Sequence, residues 1–360
     1  MHQDNLNNVN VLTERVLVMP TALKKSLPLS EAGSEFIESS RHTISNIIHG
    51  DDPRTLVISG PCSIHDPAAA KEYALKLKRL QQEVGDTMFI VMRVYFEKPR
   101  TTVGWKGLIN DPHLDGSFDI ETGLYKAREL MLWLTEQQIP IATETLDPIS
   151  PQYLSDLVSW AAIGARTTES QTHREMASGL SMPVGFKNGT DGNVTIALNA
   201  IGAAGSGHHF MGISEQGQVT IVQTRGNPDA HLILRGGKEP NFQKPFVDAA
   251  EKQLVDSGYN PAIIVDCSHA NSFKDYRRQG EVANDVMQQI EQGNQSIKGI
   301  MLESHLNPGN QKLTADLGQL EYGVSITDGC IDWQSTETLI MDYHERLKPV
   351  IADKKQLAIA

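Results

Sequence analysis

The chain has 360 residues, of which 44 are aspartate or glutamate and 32 are lysine or arginine, so its formal net charge is −12. An acidic chain is not expected to bind nucleic acid or acidic membranes in general, because those partners require an excess of positive charge. The N-terminus has no signal-peptide pattern, no apolar run approaches the roughly 20 residues of a membrane span, and the three cysteines form no CxxC pair. The sequence therefore predicts a cytoplasmic globular protein without a disulfide framework.

Residues 1–50 differ in pattern from the rest of the chain. The apolar patch Val16–Met19 is followed by a predicted amphipathic helix, which begins at about Ser30 and ends at Gly50. Two interpretations of this N-terminal extension remain open. It either packs on the main domain as a decorating segment or serves as an arm that binds another subunit. The main domain is predicted to cover residues 51–350.

From residue 56 onward, short apolar runs alternate with helix-like stretches such as 68–80, 127–136 and 247–255. Eight of these runs are predicted to be buried parallel strands: residues 56–59, 88–92, 140–143, 160–163, 183–186, 231–234, 262–265 and 300–302. Eight strand–helix alternations over roughly 300 residues favour an α/β fold of the (β/α)8 TIM-barrel type over an open sheet.

One interval interrupts this alternation. The apolar runs 210–213 and 219–222 flank the polar segment 214–218, and this spacing predicts an inserted β-hairpin near residues 208–226. Such an insertion on a barrel forms a lid, an interface or a regulatory surface. The preceding segment Gly202–Gly207 is glycine-rich, but its GxxGxG order is not that of the dinucleotide-binding fingerprint.

A charged, titratable or metal-binding side chain follows every predicted strand. In chain order these residues are Cys62, Arg93, Glu144, Arg166, Lys187, Arg235, His269 and Glu303. A single arginine after a strand is usually a solvated strand end, but eight such residues after eight strands are difficult to explain in that way. Because the carboxyl ends of barrel strands build the active site, we expect these side chains to converge there.

Half of this set is cationic and can surround a compact polyanion. The four cations are Arg93, Arg166, Lys187 and Arg235. The loop of residues 96–102 adds Lys98 and Arg100. This is more positive charge than one phosphate requires, so the sequence predicts two anionic groups or two anionic substrates.

The remaining strand-end residues, with one further aspartate, make a plausible site for a divalent metal. The set consists of Cys62, His269, Glu303 and Asp328. Taken singly, each has a structural alternative: a buried thiol, a hydrogen-bonded histidine, a capping glutamate and a turn aspartate. A site of mixed sulfur, nitrogen and oxygen donors accepts several borderline ions. We therefore expect one ion per subunit, Mn2+ or Fe2+ ahead of Co2+ or Zn2+.

Seven motifs carry a resemblance to a known family: Gly60–Asp66, Phe96–Thr101, Gly164–Ser170, Gly185–Gly192, Leu234–Gly237, Asp266–His269 and Glu303–His305. Together they resemble the class I (type Iα) 3-deoxy-D-arabino-heptulosonate-7-phosphate (DAHP) synthases, in the family's order, from about residue 10 to about residue 345. That family condenses phosphoenolpyruvate with erythrose 4-phosphate in the first step of the shikimate pathway. The resemblance agrees with the two anionic substrates inferred from the charges.

The resemblance also assigns roles to residues. It implies a divalent metal held by Cys62, His269, Glu303 and Asp328. It implies a phosphoenolpyruvate site made by Arg93, Lys98, Glu144, Ala165, Arg166, Lys187 and Arg235, with Arg166 and Arg235 on the phosphate. It implies an erythrose 4-phosphate site made by Lys98, Pro99, Arg100 and Thr101. The expected catalytic residues are Lys98, Glu144 and Lys187. Glu144 is the candidate to orient the attacking water, and Lys98 is the candidate proton donor to the new alkoxide.

Two rival functions stay open at this point. One is a related barrel synthase that joins phosphoenolpyruvate to another phosphosugar, and the other is a phosphometabolite sensor that binds without catalysis. The Lys98–Thr101 loop and the long N-terminal extension favour the four-carbon aldose.

Members of the family are commonly inhibited by one aromatic amino acid. The resemblance implies an effector pocket of Pro148, Gln152, Ser181, Phe210, Gly212 and Val222, completed by the N-terminal extension of a neighbouring subunit in a homodimer or homotetramer. Members that respond to phenylalanine tend to have serine at the position of Gly212. Glycine leaves room for a phenolic hydroxyl, so tyrosine is the expected inhibitor, with phenylalanine as the alternative. The competing interpretation is that Gly212 serves only a bend of the hairpin.

Overall fold

The computed structural model describes residues 6–314 and 316–357. The described residues form ten strands: β1 Thr55–Gly60, β2 Met88–Arg93, β3 Ile141–Glu144, β4 Trp160–Ile163, β5 Val184–Lys187, β6 His209–Ile213, β7 Val219–Gln223, β8 Ala230–Leu234, β9 Ile263–Asp266 and β10 Ile297–Glu303. Eight of them close into a parallel barrel in the order β1-β2-β3-β4-β5-β8-β9-β10, with β10 beside β1. The predicted (β/α)8 barrel is confirmed.

The helices are α1 Pro20–Ser26, α2 Glu31–His49, α3 Pro67–Val84, α4 Ile120–Glu136, α5 Pro151–Leu154, α6 Gln171–Gly179, α7 Val194–Ala204, α8 Lys244–Asp256, α9 Gln279–Glu291 and α10 Trp333–Leu357. Local sequence determines where several of them begin. Helix α4 starts well before the predicted residue 127, because the Asp119 side chain accepts the N–H of Thr122 and caps it. In the described part of the chain, no helix has the length and apolarity needed to cross a membrane.

Helix α2 packs on the barrel of its own chain. Ser30 caps its first turn by accepting the N–H of Gly33, and Gly50 ends it in the left-handed conformation at φ +88°. Within the helix, Arg41 donates hydrogen bonds to the carbonyl oxygens of Val158 and Ser155 at 2.9 and 2.7 Å. The extension is therefore attached to the loops around β4.

The inserted hairpin is present and stands apart from the barrel. Strands β6 and β7 pair antiparallel, with Phe210 opposite Val222 and Gly212 opposite Thr220. The side chains of Met211 and Ile221 are exposed on one face, while the other face borders a cavity described below. The prediction of a hairpin near residues 208–226 is confirmed.

The apolar core has two layers. An inner cluster fills the barrel and includes Trp160, Ile233, Ile264 and Met301, while a larger cluster lies between the strands and the surrounding helices. Complete burial of one such aliphatic side chain contributes about 1.5–3 kcal/mol. The barrel is therefore a packed and rigid support for the side chains at its carboxyl ends.

Candidate active site

A cavity of about 300 Å3 lies at the carboxyl ends of the barrel strands. The predicted residues that line it are Arg93, Lys98, Pro99, Arg100, Thr101, Glu144, Ala165, Arg166, Lys187, Arg235, His269 and Asp328. The structure thus gathers every residue predicted for the two phosphorylated substrates. Thr102 of the predicted 96–102 loop lines the cavity as well, as do Val103 and Thr190, for which the sequence predicts no role.

The four predicted metal ligands lie at or beside this cavity, which His269 and Asp328 line. Cys62 Sγ lies 3.8 Å from Asp328 Oδ2, and the ligand atoms of Cys62, Glu303 and Asp328 all lie within 4.8 Å of one another. His269 Nε2 lies 3.9 Å from Glu303 Oε1. One thiol and two carboxylates therefore cluster together, with the His269 imidazole next to one of the carboxylates. Donors of these kinds fit a divalent ion.

The charges around these donors differ in their effects. Burial alone would raise the pKa of Glu303, but its neighbours His269 and Arg93 hold that pKa at about 2. Burial raises the pKa of the Cys62 thiol to about 11. A cation bound between the donors would favour the Cys62 thiolate over the thiol. The buried thiol and the ionised Glu303 therefore suit a site that binds a cation.

Asp266 connects the metal donors to the cationic wall, and the sequence reasoning gave it no role. Its fully buried Oδ2 lies 2.8 Å from Lys187 Nζ and 2.8 Å from His269 Nδ1. Burial alone would raise the pKa of Asp266, but His269 and Lys187 lower it well below its usual range. Because Nδ1 of His269 faces Asp266, Nε2 is left for a metal, the usual arrangement of a ligating histidine.

Arg93 braces the same region from below. Its side chain is 1% exposed and stacks on the ring of Tyr95, with 3.6 Å between the guanidinium carbon and the ring centre. It donates hydrogen bonds to Glu303 Oε1 at 3.0 Å and to the Pro61 carbonyl at 3.1 Å. Arg93 therefore holds Glu303 in place in addition to lining the cavity.

Arg166 and Arg235 contrast with the paired cations. Among the residues that the structure describes, neither has a carboxylate partner within 4 Å; each makes one long bond of 3.4 Å, to the carbonyls of Pro99 and Gly236 respectively. Burial lowers the pKa of Arg235, and the like charge of Arg166 adds to this effect. Two cations without counterions in one cavity fit an anion that offers several oxygen acceptors.

Glu144 and Lys98 both line the cavity. Glu144 is 8% exposed, and its Oε1 finds no hydrogen-bond partner in the described part of the chain. A side chain at Gly164 would collide with this oxygen, so glycine there admits the carboxylate. Lys98 Nζ donates to the Cys62 carbonyl and to Cys62 Sγ, both at 3.1 Å. Two residues of the cavity lining thus carry a buried acceptor that is unsatisfied in the described part of the chain and a buried ammonium.

A second cavity, of about 440 Å3, lies between the hairpin and helices α5 and α6. All six residues of the predicted effector pocket line it: Pro148, Gln152, Ser181, Phe210, Gly212 and Val222. Thr172 and Met176 of α6 also line it, without a sequence prediction. The N-terminal extension of the same chain lies nearby, because the Tyr153 hydroxyl donates to the Val18 carbonyl at 2.6 Å.

Comparison with known proteins gives a consistent result. Residues 28–341 match the model of the family described as the DAHP synthetase I family. The chain is 58% identical over 347 residues to "Phospho-2-dehydro-3-deoxyheptonate aldolase, Tyr-sensitive" of Escherichia coli (strain K12), which covers 96% of this chain and 98% of that protein. It is 53% identical over 332 residues to the Phe-sensitive aldolase of the same strain, covering 92% and 95%.

A solved structure is similarly close. The phospho-2-dehydro-3-deoxyheptonate aldolase from Francisella tularensis SCHU S4 superposes with a TM-score of 0.92 at 47% sequence identity, covering 94% of this chain and 99% of that one. The similarity therefore extends over the barrel, the hairpin and most of the N-terminal extension.

Proposed function

The chain belongs to the DAHP synthetase I family, and from this membership we propose that the cavity at the carboxyl end of the barrel performs that family's reaction. The enzyme condenses phosphoenolpyruvate with erythrose 4-phosphate and water to give DAHP and phosphate, the first step of the shikimate pathway. The observation that carries the proposal is the placement of Arg166 and Arg235, which have no carboxylate partner among the described residues, in the same cavity as His269 and Asp328.

The donor set of Cys62, His269, Glu303 and Asp328 would hold one divalent ion per subunit, with Mn2+ or Fe2+ favoured over Co2+ or Zn2+. When bound, the ion supplies Lewis-acid polarisation of the aldehyde oxygen. The short distances among the donor atoms support this assignment.

The cations position the two substrates. Arg166 and Arg235 bind the phosphate of phosphoenolpyruvate, and Lys187 binds beside them while Asp266 fixes its ammonium. Arg100 and Thr101, on the loop after β2, bind the phosphate of erythrose 4-phosphate. This arrangement holds the nucleophilic carbon of one substrate against the aldehyde of the other, which lowers the entropic part of the barrier.

Two side chains handle protons and water. Glu144 lines the cavity and has an oxygen without a hydrogen-bond partner among the described residues, and it orients the water that attacks the carbon from which phosphate departs. Lys98 Nζ gives a proton to the new alkoxide, and the thiol sulfur at 3.1 Å keeps the ammonium at that place.

A phosphate-release assay with phosphoenolpyruvate, erythrose 4-phosphate and Mn2+ tests this function. We expect release only when both substrates and the metal are present. Release with a five-carbon aldose phosphate in place of erythrose 4-phosphate would favour the related barrel synthase. Binding of both molecules without release would favour the non-catalytic sensor.

Feedback inhibition by tyrosine is the regulatory part of the proposal. Tyrosine would occupy the second cavity, where Gly212 leaves space for the phenolic hydroxyl. The 57–58% identity to relatives named Tyr-sensitive, against 53% for those named Phe-sensitive, supports tyrosine over phenylalanine.

The N-terminal extension, residues 1–50, would serve as a regulatory and oligomerisation segment in a homodimer or homotetramer, ahead of the catalytic domain 51–350. Its apolar side chains Leu6, Leu12 and Val16 are exposed in the single chain, which supports contact with a neighbouring subunit.

A further inference from the structure

Three buried asparagines connect the loops that follow strands β5, β8 and β9. They are Asn188, Asn241 and Asn271, with exposed fractions of 0%, 7% and 1%. None of them lines the cavity. The loops that they join carry Lys187, Arg235 and His269.

Asn188 uses both ends of its amide on the turn that contains Arg235. Its Oδ1 accepts the backbone N–H of Arg235 at 2.8 Å. Its Nδ2 donates to the carbonyl of Gly236 at 2.9 Å and to that of Gly189 at 2.8 Å. The turn after β8 is thereby attached to the turn after β5.

Asn241 and Asn271 complete the attachment. Asn241 Oδ1 accepts the N–H of Gly236 at 2.7 Å, and the backbone N–H of Asn241 donates to Asn271 Oδ1 at 2.8 Å. Asn271 Nδ2 donates to the Leu234 carbonyl at 3.2 Å. Four backbone groups around Arg235, one before it, its own N–H and two after it, are therefore bonded to asparagine side chains.

The backbone of the turn after β8 is also restricted at Gly236. Gly236 has φ +74°, a conformation that favours glycine, and a side chain there would lie 2.7 Å from the backbone nitrogen of Asn271. The guanidinium of Arg235, in contrast, makes only the 3.4 Å contact with the Gly236 carbonyl in the described part of the chain. The backbone around Arg235 is therefore fixed by hydrogen bonds, whereas its guanidinium remains able to bind an anion.

We propose that Asn188, Asn241 and Asn271 are positioning residues for phosphate binding. By satisfying the backbone groups around Arg235, they hold its guanidinium where the phosphate of phosphoenolpyruvate arrives, so that less freedom is lost on binding. The inference rests on the proposed role of Arg235.

The test compares Asn188→Ala and Asn241→Ala with a matched control, Asn227→Ala. Asn227 is equally buried, and its Nδ2 bonds three carbonyls, those of Ala177, Leu180 and Met182, away from the cavity. Binding of phosphoenolpyruvate in the presence of Mn2+ is measured by calorimetry, KM for each substrate by phosphate release, and stability by thermal unfolding.

We expect Asn188→Ala and Asn241→Ala to bind phosphoenolpyruvate about tenfold or more weakly, the scale of one lost supporting hydrogen bond. KM for erythrose 4-phosphate should stay within about twofold, because its loop is not bonded to these amides. The control should lose stability while it keeps its phosphoenolpyruvate affinity. Asn241→Asp retains the acceptor for the Gly236 N–H and should recover part of the affinity lost in Asn241→Ala.

Parent-like phosphoenolpyruvate affinity in both alanine variants would overturn the inference, and so would equal weakening of both substrates. If Asn188→Ala does not fold, Asn241→Ala decides, since it leaves the three bonds of the Asn188 amide to backbone groups in place. Arg235→Ala distinguishes the role of the asparagines from the role of Arg235 itself. Weak binding in that variant alone refutes the asparagine role, whereas unchanged binding in it refutes the proposed role of Arg235 as well.

Discussion

The hydroxyl of Ser150 donates a 2.9 Å hydrogen bond to Oε2 of Glu97. Glu97 immediately precedes Lys98, which lines the active-site cavity, whereas Ser150 lies between Ile149 and Pro151, which line the second cavity. Glu97 is 6% exposed. A buried carboxyl group therefore joins the loops of the two cavities.

This carboxyl group should make the stability of the protein depend on pH. Burial, together with the like charge of Asp147, raises the pKa of Glu97 from 4.5 to about 8. The folded state therefore keeps a proton that the unfolded chain has already released, and stability falls as pH rises from about 4.5 to 8. Glutamine cannot ionise, so Glu97→Gln should exceed the parent in free energy of unfolding by roughly 5 kcal/mol at pH 9.

Denaturant unfolding of both proteins at pH 5, 7 and 9 measures this difference, which should shrink as pH falls toward 4.5. Glu83→Gln, a change at an exposed glutamate of α3, is the control and should show no such trend. A constant difference between Glu97→Gln and the parent across this range would contradict the raised pKa.

The barrel could be predicted from the sequence because its strands are buried on both faces and appear as short continuous apolar runs. Many of the residues that line the cavity could also be predicted, since a charged residue directly after a buried strand can only lie at the barrel's carboxyl end. The helices α7, α9 and α10 were not predicted. In α7, apolar residues occur almost throughout Val194–Ala204, so the polar face that marks an amphipathic helix is missing.

Residues that act through distant partners could not be predicted. Arg93 and Glu303 are 210 positions apart in sequence, and no local pattern shows that one braces the other. Asp266 stands in a motif that the resemblance quoted, but its contact with Lys187 depends on the closure of the barrel. The three asparagines gave no signal, because isolated asparagines after strands are typical of ordinary turns.

The Arg166→Ala and Lys187→Ala variants should lose similar activity but differ in stability. Arg166→Ala and Lys187→Ala should each lose roughly two to three orders of magnitude in kcat/KM, the scale for removing one preorganised charge from an active site. Only Lys187→Ala removes a buried partner from Asp266, so it should also be destabilised by about 3 kcal/mol. Steady-state kinetics and denaturant unfolding measure the two effects. Equal stability of the variants would show that the Lys187–Asp266 pair contributes nothing to the fold.

Removal of the metal should abolish turnover, and Mn2+ or Fe2+ should restore it. Cys62→Ala should fold but retain little metal, because it removes one of the three clustered donors, Cys62, Glu303 and Asp328. Cys267→Ala is a matched control, since Cys267 is equally buried but, in the described part of the chain, its thiol donates to the Val265 carbonyl and does not belong to the donor cluster. Elemental analysis of the purified proteins gives the metal content independently of activity. A parent-like metal content in Cys62→Ala would remove Cys62 from the ligand set.

Arg100 should matter for only one substrate. It is exposed on the loop after β2 and lines the cavity. Arg100→Ala should raise KM for erythrose 4-phosphate about tenfold, the scale of one charge-assisted hydrogen bond, while KM for phosphoenolpyruvate stays near the parent value. Lys106→Ala, a change at an exposed lysine of the same loop outside the cavity lining, is the control. Equal weakening of both substrates in Arg100→Ala would mean that the division of the cavity is wrong.

The choice of inhibitor should depend on Gly212. Its φ is not positive, so serine is compatible with the backbone, and the added Cβ would lie 2.9 Å from Val222 Cγ2 and 3.8 Å from Phe210 Cε2. Serine would therefore displace the Val222 side chain by a small amount and fill the space that a phenolic hydroxyl needs. Gly212→Ser should weaken inhibition by tyrosine about tenfold, as expected for a steric conflict of roughly 1.4 kcal/mol in a packed site, and should strengthen inhibition by phenylalanine.

Titration of tyrosine, phenylalanine and tryptophan against the parent and Gly212→Ser measures this shift, with Gln218→Ala, an exposed change in the hairpin turn, as the control. Turnover without inhibitor should be the same in all three proteins, because the hairpin contributes no residue to the active-site cavity. Inhibition of the parent by phenylalanine alone would refute the assignment of tyrosine. Unchanged inhibition by tyrosine in Gly212→Ser would mean that Gly212 serves only the bend of the hairpin, because a side chain at this position would then leave the bound phenol undisturbed.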